Sequence, residues 1–73
     1  MKVKVELTFP RELKNEPVIY QIITRFNVVP TILEASFTSK VGWVYLIVEG
    51  GEGELKQMFD YLASRNVIVD KRS

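Results

Sequence analysis

The 73-residue sequence predicts an α+β domain, with a four-stranded antiparallel sheet carrying two helices on one face in the order β-α-β-β-α-β. Three observations predict it: apolar residues at every second position near the N-terminus, two separate stripes at helical spacing, and between them a run that is apolar on both faces.

In "KVKVELTF", Val3, Val5, Leu7 and Phe9 alternate with Lys2, Lys4, Glu6 and Thr8, which specifies a strand with one buried face, and Pro10 ends it. Ile19, Ile22, Ile23 and Phe26 then fall at i, i+3, i+4 and i+7 along one helical face, with Asn15 as the expected N-cap and Pro17 in the first turn. A second strand is expected from Val29 to Thr38, with Leu33, Ala35 and Phe37 on one face and Ile32, Glu34, Ser36 and Thr38 on the other. The turn "TSKVG" leads to "GWVYLIVE", where Val44, Leu46 and Val48 alternate with Trp43, Tyr45 and Ile47, as suits a central strand covered on both sides. After Gly50 and Gly51, the stripe Leu55, Met58, Phe59 and Leu62 predicts a helix running to about Arg65, and "NVIVD" predicts a short last strand.

Two right-handed crossovers interlocked in this order give the ferredoxin-like split βαβ arrangement, with the first and third strands central and the second and fourth at the edges. Pro30 fits that placement: it has no N–H for a sheet ladder, and near the start of an edge strand it blunts unwanted pairing.

Length and composition narrow the functions. The chain is read as one domain over residues 1–73, because a second core could not be assembled from what remains. A domain of this size buries only about 60% of its unfolded surface, so its single core is marginally stable and association with a partner often helps. The absence of cysteine and histidine removes disulfides, thiol chemistry and the usual zinc sites. Ten basic and nine acidic residues are interspersed, a balance unlike the gathered positive charge of a nucleic-acid binder. The N-terminus lacks the unbroken apolar run of a signal peptide, and no segment approaches the roughly 20 apolar residues of a membrane span, so a cytoplasmic domain without a cofactor is expected.

Two helices on one side leave the other face of the sheet open. Strict alternation places Lys4, Glu6, Trp43, Tyr45, Ile47, Ile32, Glu34, Ser36 and Ile68 there, with Trp43, Tyr45, Ile47 and Ile32 as an apolar patch fit for an interface or a ligand groove. Lys40, Gly42, Trp43 and Tyr45 also resemble the third-strand signature of the RNA-recognition motif. The outward residues Lys4 and Glu6, where an aromatic belongs, and Val48 depart from it. "GGEGE" at the second helix lacks a phosphate-loop pattern, and its glutamates complement the helix dipole instead. Arg11 follows the first strand, as in acylphosphatase-like enzymes, but without a glycine-rich loop; no nucleophile has an adjacent base, and catalysis is not expected.

The stretch "PVIYQIITRFNVVPTILEASF" resembles the NIL domain, a ferredoxin-like module related in shape to ACT domains and named for an Asn-Ile-Leu tripeptide in its second strand. Arg25, Phe26, Asn27 and Val28 match the phrase that ends the family's first helix, and Ile32 and Leu33 match the last two letters of the tripeptide. The likeness continues through "WVYLIVEG" and "YLASRNVIV", covering about Lys2 to Asp70. NIL domains are regulatory modules of methionine-import ABC ATPases, where they pair and bind methionine, and others are joined to iron-sulfur ferredoxin modules. The resemblance implies a non-catalytic module that pairs and senses an amino acid, with an ABC transporter or ferredoxin-type protein as partner; combined with the apolar patch, it leads to the expectation of a homodimer paired through the second and third strands at Trp43, Tyr45 and Ile47, with an amino-acid site near Thr31, Ile32 and Glu34. Thr31 stands where the family has asparagine, so one hydroxyl replaces a side-chain amide. Strict alternation turns Thr31 toward the helices, whereas a strand end or a bulge beside it would turn it outward. The rival reading is an interaction module that docks through Trp43 and Tyr45 and binds no metabolite.

Overall fold

In the computed structural model, residues 1–13, 16–38 and 41–72 are described. The chain runs through β1 (Lys2–Phe9), a short 3-10 turn (Arg11–Leu13), α1 (Val18–Arg25), β2 (Val28–Phe37), β3 (Gly42–Gly50), α2 (Glu52–Ser64) and β4 (Ile68–Lys71). The strands form one antiparallel sheet in the order β2-β3-β1-β4, so β1 and β3 are central as the crossovers require. The architecture is the expected α+β, ferredoxin-like one.

Register explains the core. Val5 lies opposite Leu46, Leu7 opposite Val44 and Val3 opposite Val48, which puts the larger apolar set of both central strands on one face. There it meets Val18 and Ile22 of α1 and Leu55, Met58 and Leu62 of α2. Val5, Leu7, Ile22, Leu46, Met58 and Leu62 are wholly buried.

The helix ends follow local chemistry. Pro17 precedes α1, and its carbonyl accepts the first helical bond from the Gln21 N–H at 2.9 Å. The expected cap Asn15 lies outside the described residues. Within α1 the buried positions are Val18 and Ile22, while Ile23, expected on the buried stripe, faces solvent. Glu52 and Glu54 occupy the first turn of α2, where a negative charge meets the positive end of the helix dipole, and Glu54 also accepts the Asn27 N–H at 3.3 Å. At its other end, Asn66 takes the left-handed conformation at φ 65°, and the Asn66 and Val67 N–H groups close onto Ala63 and Leu62. β4 therefore starts at Ile68, two residues later than the alternation implied.

A polar ring ties α1 to α2. Gln21 donates to Glu16 at 2.9 Å and accepts from the Tyr61 hydroxyl at 3.1 Å; Arg65 donates to that hydroxyl at 3.2 Å and pairs with Glu16 at 3.1 Å. The Arg25 guanidinium lies 4.8 Å from the centre of the Tyr61 ring. An eight-residue helix is marginal alone, and this ring anchors it to its longer neighbour.

The second strand departs from alternation at one point. Ile32 lies opposite Leu46 and Glu34 opposite Tyr45, so Leu33 is an extra residue and β2 carries a bulge there. Beyond the bulge, Ala35 and Phe37 share the helix side with Val44 and Gly42, as expected. Before it the faces invert: Ile32 joins Leu46 on the helix side, and Thr31 joins Ile47 on the open side. Ile32 thus does not belong to the open-face patch where strict alternation put it.

Candidate functional site

The open face of β2 and β3 is a built surface. Thr31 faces it opposite Ile47, Glu34 opposite Tyr45 and Ser36 opposite Trp43, so the register brings together the side chains of Thr31, Glu34, Trp43, Tyr45 and Ile47. Trp43, Tyr45 and Ile47 are half-buried, whereas Thr31 and Glu34 are exposed. Glu34 makes no ion pair among the described residues.

Arg72 completes the surface and was not anticipated from sequence. Its N–H bonds the Lys4 carbonyl at 2.8 Å, extending the β4 ladder by one residue and carrying its side chain over the open face. There the guanidinium pairs with Glu6 at 3.1 Å and Asp70 at 3.2 Å, and lies 6.0 Å from the centre of the Tyr45 ring. Glu6, Glu34, Trp43, Tyr45 and Arg72 enclose a shallow depression of about 270 Å³. The signal that could have found Arg72 is period two: Asp70 is outward, and Arg72 is two residues on.

The helix side of β2 is bare for a geometric reason. Eight residues of α1 span about 12 Å and ten residues of β2 about 33 Å, so the helix cannot shield the whole strand. Val28 is buried at the near end, but Ile32 is 52% exposed while Leu46, directly opposite, is 0% exposed. Every residue from Thr31 to Phe37 is exposed. Val29, Ile32, Leu33 and Phe37 make this an edge with apolar side chains on both faces.

Among the described residues, no group of three or more acidic side chains is placed to hold a metal ion, and no helix is long and apolar enough to cross a membrane. Lys40, part of the RNA-binding comparison, lies outside the described residues, and Val48 is buried against the helices rather than displayed.

The NIL domain family model matches residues 3–71. The chain belongs to the NIL domain family. It is 33% identical over 67 residues to the methionine import ATP-binding protein MetN 2 of Bacillus licheniformis, an alignment covering 86% of this chain and 20% of that relative. The chain thus spans about a fifth of the length of that curated relative. Among solved structures, the C-terminal domain of an ABC transporter ATP-binding protein from Enterococcus faecalis superposes with a TM-score of 0.79 at 20% identity, covering 94% of this chain and 81% of that one. The de novo designed protein Foldit4 superposes at 0.57 with 14% identity, covering 97% and 91% of the two chains. At these identities the structural matches establish the fold alone.

Proposed function

We propose that this NIL domain is a non-catalytic regulatory module that pairs with a second copy along β2 and β3 and binds methionine or a related amino acid at the interface. The observation that carries the reading is β2 itself: an edge strand of ten residues, exposed from Thr31 to Phe37 and apolar on both faces. Long exposed apolar edges are normally blunted or paired.

In the pair, Trp43, Tyr45 and Ile47 supply apolar cover on the open face, and Ile32 adds to the strand surface on the other side. Glu34, exposed and without an ion-pair partner among the described residues, receives the ligand ammonium. The Thr31 hydroxyl, three positions before it and turned outward by the bulge, bonds the carboxylate. The similarity to a methionine import ATP-binding protein favours methionine as ligand and an ABC transporter assembly as partner, with a ferredoxin-type protein as the alternative. A ligand held only by the paired form stabilises pairing by mass action, which converts amino-acid concentration into an assembly state.

Calorimetric titration of methionine and related amino acids tests the reading. Saturable heat that disappears in Glu34→Gln and strengthens in Thr31→Asn is expected. Absence of heat at millimolar methionine from a folded, paired chain would refute ligand sensing and leave a pairing or docking module that works through Trp43 and Tyr45.

A further inference from the structure

A second concavity lies on the helix side, across the sheet from Thr31 and Glu34. It is a groove of about 440 Å³ between the segment that follows β1, the start of α1 and the far end of β2. Ligand pockets generally begin at about 300 Å³, so its size suits a small molecule.

Its walls have a defined chemistry. Phe37 stacks on Phe9 with ring centroids 6.1 Å apart and planes 15° from parallel, so the ring is held flat although the residue is 64% exposed. The stack depends on Gly42, because a methyl group there would stand 2.5 Å from Cδ1 of Phe37. Tyr20, 65% exposed, also lines the groove, together with Leu13, Val18 and Ile19. Aromatic rings presented in this way favour an aromatic guest by offset or edge-on packing.

Among the described residues, two charged side chains belong to the lining of the groove. Glu16 is among its lining residues, but that carboxylate is engaged by Arg65 and Gln21. Arg11 also lines the groove, and it makes no ion pair among the described residues. A guanidinium beside an apolar cleft recognises a carboxylate through its forked donors.

We propose that this groove binds a small aromatic carboxylate, with its ring against Phe37 and Tyr20 and its carboxylate on Arg11. The site is separate from the β2 and β3 open face and does not depend on amino-acid binding there. The probe is 3-phenylpropionate added to the ¹⁵N-labelled chain, with the neutral 3-phenylpropionamide as comparison, followed by amide chemical shifts. Saturable shifts are expected at Arg11, Val41 and Gly42, with the acid binding about two- to fivefold tighter than the amide, the range of an exposed ion pair. Arg11→Gln, at an exposed position that leaves folding intact, should abolish that preference, and Gly42→Ala, which pushes Phe37 off its stack, should abolish the shifts. Saturation without shifts at these amides, shifts confined to Thr31 and Glu34, or equal binding of acid and amide would each overturn the proposal.

Discussion

Ten residues of β2 form one edge of the sheet and four residues of β4 form the other. β4 is short, its outward side chains include Asp70 and Ile68, and Arg72 just beyond it folds back onto Glu6 and Asp70. It is an edge closed by length and charge. β2 carries Val29, Ile32, Leu33 and Phe37 exposed, with a bulge at Leu33 and a helix too short to cover it. One edge is thus short and closed by charge, while the other is long and apolar, with Pro30 near its start and the bulge at Leu33 as its interruptions, and a partner is needed at the second.

The largest effect separates buried from bare positions in a single register pair. Leu46→Ala should cost about 2–5 kcal/mol in urea unfolding, because it opens a cavity in a close-packed core. Ile32→Ala, directly opposite, should cost under about 1 kcal/mol in dilute solution, where its side chain is already half exposed to water. A large cost for Ile32→Ala at low concentration would mean that β2 is covered within one chain.

A smaller effect compares the edges by charge. Arg72→Ala removes exposed ion pairs with Glu6 and Asp70 and should cost at most about 1 kcal/mol, a difference that fades in high salt. Trp43→Glu acts on the other side of the same face and should leave a folded chain that no longer pairs, read by light scattering. An unchanged mass in Trp43→Glu would remove β3 from the interface.

The smallest effect leaves both edges alone. Glu16 is held below its ordinary value near 4.5, first by the hydrogen bond from Gln21 and then by Arg65, which is itself raised by Glu16. Folding thus favours the charged carboxylate, so the stabilisation is present above the unfolded value and is lost as pH falls through the lowered folded one. Urea midpoints of Glu16→Gln and the native chain should differ at neutral pH and converge in acid. A gap that persists in acid would contradict this linkage.

Much of the fold was legible in the order of residues. The crossover order put β1 and β3 at the centre of the sheet, and of the α2 stripe Leu55, Met58 and Leu62 are buried while Phe59 is only partly so. The bulge was not legible, because "TILEAS" contains apolar residues at both parities and one extra residue leaves no compositional mark. That single residue decided the side on which Thr31 and Ile32 lie. Trp43, Tyr45, Ile47 and Glu34 could be placed on one face from period two alone. The Phe9–Phe37 stack could not, since it joins residues 28 apart through a glycine whose role appears only when the strands are paired.

Sedimentation equilibrium of the native chain beside Leu33→Glu tests whether β2 is the pairing edge, because Leu33 sits in the bare edge outside the β2–β3 ladder. The native chain should approach twice its 8.4 kDa mass at millimolar concentration while the folded variant stays at 8.4 kDa. A native chain that stays at the single mass, or a variant that pairs equally well, would contradict a functional role for β2 as a pairing edge.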